Sequence, residues 1–176
     1  MKKTIVMLFS IIFLTSWLSP DYDPSEKANA KIKTIYIYNF TKYIEWPNAY
    51  KEGKFVIGVL GNNSSLYDEL NKMAESKMVG TQKIEIRNLT NIDLAAECHI
   101  IYVLTPNSDQ LKDIIQKLKG KCGLIITDKP GMAKQGAGIN FVVLDNKQKI
   151  ELNKTNIEKY KLKVASTLID MAITIN

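Results

Sequence analysis

The sequence predicts a single α/β domain in three layers: a mostly parallel open sheet, an antiparallel hairpin at its edge, and helices on both faces. Three observations favour this class. Short apolar runs alternate with amphipathic segments along most of the chain, as in βαβ units. The runs are apolar at consecutive positions, which is typical of strands buried on both faces. Near the end, two strand-like runs flank the turn residues 145–147, which favours a hairpin.

The amino terminus has the pattern of a secretory signal peptide. Lys2 and Lys3 precede an almost wholly apolar run over residues 4–18, and Pro20 ends it. This run of about 15 residues is shorter than the ~20 that a spanning helix needs. We therefore expect a signal peptide at residues 1–20, with cleavage between 19 and 30, and a periplasmic domain over residues 31–176. An uncleaved membrane anchor is the weaker alternative.

The first half of the domain predicts two helices and two strands. Residues 28–45 predict a helix with Ile32, Tyr36, Phe40 and Tyr43 on its buried face, because these positions recur at helical spacing. Pro47 ends this helix, since proline disfavours helical backbone at the residue before it. The elements that follow are strand 55–61, a helix from Ser64 or Ser65 to about Lys77, and strand 83–89.

The second half continues the alternation and then changes character. Gly120 stops one predicted helix, and three glycines mark a loop after Asp128. The predicted elements are strand 98–104, helix 107–118, strand 122–127, loop 129–138, hairpin strands 139–144 and 148–152, and helices 155–160 and 164–175.

The charge pattern argues against a nucleic-acid partner. Without Lys2 and Lys3, 22 basic residues face 18 acidic ones, a net charge of +4. Nearly all the basic residues are lysines spread among carboxylates, and Arg87 is the only arginine. Nucleic-acid readers favour clustered arginine, so this pattern indicates a solvated surface.

Two cysteines, Cys98 and Cys122, begin successive predicted strands. If those strands are neighbours, the first residues lie about 5 Å apart, which is within reach of a disulfide. An oxidising compartment favours such a bond. A Cys98–Cys122 disulfide is the first prediction, and two buried free thiols are the alternative.

The chain shows no catalytic constellation, so we predict a protein that is not an enzyme and needs no cofactor or metal. His99 is the only histidine, and Cys98 beside it points to the other side of the strand. We interpret His99 as a half-buried structural residue. No nucleophile elbow and no phosphate-binding loop motif occurs.

Two sets of residues are candidate binding sites. Trp46 and Pro47, at the end of the first helix, predict either a lid over the core or an exposed anchor for a partner. The carboxyl edge of the sheet is where α/β folds place ligands, which makes it an alternative small-molecule or enzyme site. Its candidate lining is Gly61, Asn62, Asn63, Thr105 and Asp128.

One segment resembles a known family. Residues 38–47 (YNFTKYIEWP) are similar to the opening motif of YfiR-like proteins. Weaker similarities follow in the family's order over about residues 31–175. They are the strand 55–61, Asp128 with Gly131-Met132-Ala133, Ile139-Asn140-Phe141, Ile150–Asn153, and the terminal segment 162–168.

This resemblance implies a function and a partner. It implies an exported, non-catalytic regulator that represses a membrane-bound diguanylate cyclase by binding its extracytoplasmic domain. A membrane sensor kinase is the other partner class that the resemblance implies, and a homodimer is compatible with it. A periplasmic small-molecule binding protein or enzyme, using the carboxyl edge, remains the alternative.

Overall fold

The computed structural model describes residues 24–176. The predicted signal peptide at residues 1–20 therefore lies outside the described residues. The predicted cleavage range, 19 to 30, ends within the described residues. Its last three residues, Ala28-Asn29-Ala30, lie in the first helix, and Ala30 is buried.

The described residues form helices and strands that largely alternate. The helices are α1 (Pro24–Tyr43), α2 (Ser64–Ser76), α3 (Leu111–Lys117), α4 (Lys154–Glu158) and α5 (Ser166–Asp170). The strands are β1 (Ile44–Glu45), β2 (Phe55–Leu60), β3 (Met78–Val79), β4 (Gln82–Leu89), β5 (Ile100–Val103), β6 (Leu124–Thr127), β7 (Ile139–Leu144), β8 (Lys147–Leu152), β9 (Lys163–Val164) and β10 (Ile173–Thr174). Short 3-10 turns lie at 48–50, 92–97, 105–110 and 132–135.

The main sheet confirms the predicted fold class. Its strand order is β10-β8-β7-β6-β5-β2-β4-β3, and β4, β2, β5, β6 and β7 run parallel. Every residue of β2, β5 and β6 is buried, because helices cover both faces of these apolar strands. The predicted hairpin is β7–β8, but it does not form the edge: β10 adds a parallel strand outside β8.

Helix α1 covers one face of the sheet through aromatic contacts. Tyr36 and Phe40 pack on Phe141 of β7, with ring centroids 5.8 and 6.1 Å apart. Tyr102 of β5 lies 6.0 Å from the same ring. The other face receives α3, since Gly123 of the segment before β6 leaves room for Leu118.

The buried face of α1 differs from the predicted one. Its buried side chains are Ala30, Thr34, Ile37, Phe40 and Thr41, whereas Ile32 is 39% exposed. Tyr36 and Tyr43 are half-buried. The helix also packs against α2. Because of this second contact, the buried face of α1 is not the face on which Ile32, Tyr36, Phe40 and Tyr43 recur.

The predicted helix at 164–175 is wrong. Val164 pairs with Ile44 and Ile173 with Glu151, which leaves only the single-turn helix α5 between two short strands. Leu168 is buried, but Met171 is 56% exposed. The apolar spacing resembles a helix, yet pairing with distant strands outweighs that local preference.

The hairpin turn has the geometry that tight two-residue loops require. Asp145 and Asn146 have φ values of 50° and 56°, between strand partners Leu144 and Lys147. Positive φ at both central positions is characteristic of a type I′ turn, which asparagine and aspartate tolerate better than most residues.

Candidate functional site: a cavity at the amino edge of the sheet

A cavity of about 770 Å³ lies at the amino edge of the parallel strands, opposite the edge that the sequence favoured. We call it the Trp46 cavity. It is bounded by the end of α1 with β1, the start of β2, the β3–β4 turn, and β9. Its lining residues are Thr41, Lys42, Tyr43, Ile44, Glu45, Trp46, Lys51, Phe55, Val79, Gly80, Thr81, Gln82, Lys163, Val164 and Ala165.

Pairing between β1 and β9 builds one wall of the Trp46 cavity. After α1 ends at Tyr43, Ile44 pairs antiparallel with Val164, and the Ala165 N–H donates to the Tyr43 carbonyl over 2.8 Å. The chain then turns at Pro47, whose φ is −57°. This turn directs Trp46 inward over the start of β2.

Trp46 is a buried wall of the cavity and not a protruding anchor. Its side chain is 4% exposed and meets Phe55 edge-on, with ring centroids 5.0 Å apart. This position corresponds to the predicted lid over the core. The indole Nε1–H has no hydrogen-bond partner in the described part of the chain.

His99 supports the floor of the cavity through its two ring nitrogens. The Val56 N–H donates to Nδ1 over 3.1 Å, so Nε2 carries the hydrogen and donates to the Tyr50 carbonyl over 2.8 Å. The imidazole also stacks on Phe55, with centroids 4.4 Å apart. His99 therefore connects Tyr50, in the loop after Pro47, to Phe55, whose ring contacts Trp46.

The environment of His99 favours its neutral form. Burial lowers its pKa below the ordinary value of 6.5, although the hydrogen bond to the Tyr50 carbonyl opposes this shift. At 7% exposure the residue is fully rather than half-buried, and its role is structural, as predicted.

Gln82 also holds the loop after Pro47 in place. The sequence did not indicate this role. Its side-chain amide donates to the carbonyls of Tyr50 and Glu52 over 3.2 and 3.1 Å. Gln82 is 6% exposed although it is polar, and because it precedes the predicted strand 83–89, the sequence carried no signal of this burial.

The rim of the Trp46 cavity is basic. Lys42, Lys51 and Lys163 line it, against one carboxylate, Glu45. Lys163 Nζ lies 3.7 Å from Glu45 Oε1, and both side chains are largely exposed. The backbone N–H of Lys51 donates to the Asn48 carbonyl over 3.0 Å, whereas its side-chain ammonium has no hydrogen-bond or ion-pair partner among residues 24–176. The rim therefore carries an excess of positive charge.

At the carboxyl edge, Asp128 and Thr105 are bound to each other. The Asp128 carboxylate accepts from Thr105 Oγ1 over 2.7 Å, from Lys33 Nζ over 2.8 Å and from the Tyr102 hydroxyl over 3.1 Å. Burial, aided by the Asp128 charge, raises the pKa of Tyr102 well above 10. These contacts attach α1 to the sheet and occupy the polar groups that a ligand would need.

The other predicted edge residues do not gather around Asp128. Gly61 and Asn62 line a cavity of about 490 Å³, whereas Asn63 lines a separate one of about 130 Å³. Asn63 also caps α2, since its side chain accepts from the Leu66 N–H over 2.7 Å. The carboxyl-edge ligand site stays a prediction with little geometric support.

Cys98 and Cys122 are both buried and free in this structure. The strands that they precede are neighbours, because Ile100 pairs with Leu124. Burial raises the pKa of each thiol to about 11. The disulfide between them stays a prediction.

Two features are absent from the described part of the chain. Within residues 24–176, no group of three or more histidine, cysteine or carboxylate side chains is arranged to hold a metal ion. Nor does any helix in this range combine the length and the apolar character needed to span a membrane.

The fold and the cavity define a class: a small α/β domain with one cavity of about 770 Å³ and no assembled catalytic residues among those described. The chain belongs to the YfiR/HmsC-like family, whose model matches residues 30–173. The match confirms the resemblance that the YNF…EWP segment indicated. The family is regulatory and non-catalytic.

Several solved chains match this protein, and one of them illustrates the shared fold. It is a conserved domain protein from Vibrio cholerae O1 biovar El Tor, with a TM-score of 0.55 and 13% sequence identity. The alignment covers 84% of this chain and 60% of that one, so the present chain spans less than two thirds of its length. None of the curated proteins matches the chain.

Proposed function

We propose that this protein is an exported, non-catalytic regulator that binds and represses the extracytoplasmic domain of a membrane signalling protein. The family match over residues 30–173 carries the proposal, and a membrane diguanylate cyclase is the partner that it favours. The partner then shifts toward its inactive state by the difference in the regulator's affinity for its two states.

The rim of the Trp46 cavity is the proposed contact surface. Trp46 is too buried to reach a partner, but Pro47 is half-buried beside it, and Lys51 and Thr81 are exposed on the rim. An apolar side chain of the partner would enter between Phe55 and Val164, both of which line the cavity. Central apolar contacts within a polar rim are typical of protein interfaces.

Site-specific cross-linking tests the surface and the partner together. A photo-reactive residue is placed at Lys51 or Thr81 in the full chain, in the cells that produce it, and the captured proteins are identified by mass spectrometry. The matched control is Lys112, an exposed lysine on α3 across the sheet. We expect a membrane diguanylate cyclase at the rim positions and not at Lys112.

The functional readout is the output of the captured enzyme. Deleting the gene should raise cyclic di-GMP, and restoring it should lower the level again. Capture of nothing but a second copy of this chain, with unchanged cyclic di-GMP after deletion, would contradict the proposal. Capture of a sensor kinase would retain the regulatory class but replace the proposed partner.

A further inference from the structure

We infer that the Trp46 cavity is also a binding site for a small anionic amphiphile, a molecule with an apolar chain and a single carboxylate head group. Neither the family match nor the proposed partner assigns such a ligand. The inference comes from the size of the cavity, its apolar interior and the position of its charges.

The interior suits an apolar chain. The cavity volume of about 770 Å³ lies within the range of about 300–1,000 Å³ that is usual for small-molecule sites. Its walls include the rings of Trp46 and Phe55 and the aliphatic side chains of Ile44, Val79 and Val164. Burying an alkyl chain against these side chains is favourable in proportion to the area removed from water.

The rim suits an anionic head group. Lys42, Lys51 and Lys163 contribute three positive charges, and Glu45 contributes one negative charge. Lys42 is partly engaged, because its ammonium lies 4.5 Å from the centre of the Tyr38 ring. Lys163 lies 3.7 Å from Glu45 and shares its charge with that carboxylate. Lys51 is thus the lysine best placed to hold a carboxylate at the mouth, and Lys163 is the second.

The indole of Trp46 gives a second, independent indication that a ligand with a hydrogen-bond acceptor binds in the cavity. Its side chain is 96% buried, and the indole Nε1–H lacks an acceptor in the part of the chain that the structure describes. Buried indole N–H groups usually find a partner. Trp46 lines the cavity, so a carboxylate oxygen of the ligand is the candidate for the acceptor that this indole lacks.

Binding of the amphiphile has a regulatory consequence that rests on the proposed function. If the partner inserts an apolar side chain into the same cavity, ligand and partner compete, and the amphiphile releases the repressed enzyme. The binding itself does not depend on a partner and is measured on the isolated protein. The two claims can therefore fail separately.

The test uses decanoate, kept below the concentration at which it forms micelles, and decanol as its uncharged counterpart. The protein is purified after export: removal of residues 1–20 leaves Trp46 as its single tryptophan, and Trp17→Phe has the same effect in an uncleaved chain. Calorimetric titration measures the affinity, and Trp46 emission reports whether the ligand reaches the cavity. We expect saturable binding of decanoate with a shift in Trp46 emission, and affinity for decanol at least roughly tenfold weaker.

Two kinds of variant locate the site. The pair Lys51→Gln with Lys163→Gln should weaken decanoate binding roughly tenfold and leave decanol unaffected, because only the head group loses its partners. Lys149→Gln, on an exposed lysine of β8, is the matched charge control and should change nothing. Val164→Phe and, separately, Thr81→Phe fill the cavity and should abolish binding; circular dichroism checks that each variant is folded.

Three results would overturn the inference. They are the absence of saturable decanoate binding, equal affinity for decanol, and undiminished binding in both folded cavity-filling variants. The proposed function would survive any of these results if the cross-linking at Lys51 or Thr81 captured a diguanylate cyclase.

Discussion

Mild acid should weaken the fold through a single side chain. His99 is the only histidine of the sequence, and each of its ring nitrogens holds a backbone group: the Val56 N–H and the Tyr50 carbonyl. Protonation would place a hydrogen on Nδ1, where the Val56 N–H already donates. The neutral imidazole is therefore built into the folded state.

The sign and size of the effect follow from the lowered pKa of His99. Below pH 6.5 the unfolded chain takes up a proton at this residue, while the folded chain still resists it. Stability is thus complete above pH 6.5 and is lost as the pH falls toward the folded-state pKa. The slope contributed by one such group is at most about 1.4 kcal/mol per pH unit.

The assay compares the native chain with His99→Gln in urea unfolding between pH 7.5 and 5.0 at constant ionic strength. Glutamine can accept from Val56 and donate to Tyr50 but does not titrate. We expect the variant to be less stable by about 1–3 kcal/mol at pH 7.5, through lost packing against Phe55, and to lack the additional loss below pH 6.5. Carboxylates titrate in both proteins and cancel in the comparison. If the free energy of unfolding fell equally with pH in the native chain and in His99→Gln between pH 6.5 and 5.0, the role assigned to His99 would be refuted.

Three further predictions concern other parts of the fold. Asp128→Ala should lower the free energy of unfolding by about 2–3 kcal/mol, and Asp128→Asn by about 1 kcal/mol, because only alanine leaves the buried Tyr102 hydroxyl without an acceptor; urea unfolding measures both. In the reduced protein at pH 8, Cys98 and Cys122 should react with a thiol reagent roughly a hundredfold more slowly than in the unfolded chain, since burial raises both pKa values to about 11. Asn146→Gly should raise the melting temperature, through a gain of about 0.5–1 kcal/mol, because glycine adopts its positive φ without strain.

Each of these has an outcome that contradicts it. Equal stability of Asp128→Ala and Asp128→Asn would show that the hydroxyl is satisfied in another way. Rapid reaction of either thiol in the folded protein would place it at the surface. A lower melting temperature for Asn146→Gly, with Asn146→Val unchanged from the native chain, would contradict the assignment of the turn.

The parts of the fold that the sequence predicted are those in which local pattern and tertiary contact agree. Residues 55–60 are apolar at every position and form a central strand with every residue buried. Residues 166–175 also have an apolar pattern, but most of this segment is exposed, and two of its residues pair with β8. Such pairing depends on which distant strand has a free edge, and no local pattern records that.

The candidate site was predicted only in part for the same reason. Trp46 and Pro47 were singled out, and both lie at or beside the cavity. The opposite walls, at Val79–Gln82 and Lys163–Ala165, come from segments with no unusual composition. Conversely, Asp128 was chosen because it follows a buried strand, but Lys33 from α1 reaches it and occupies its carboxylate.

The β1–β9 pair also has a consequence for the order in which the protein forms. It joins Ile44 to Val164, 120 positions apart in the chain. Contacts this distant in sequence are slow to form, because the entropy of closing the loop is lost before the contact can stabilise the fold. The Trp46 cavity therefore cannot close while the chain is still emerging from the ribosome or from a translocation channel. A chain exported in an unfolded state would acquire its binding surface only after its last segment has crossed, so a functional regulator would first exist in the compartment where its partner's sensor domain lies.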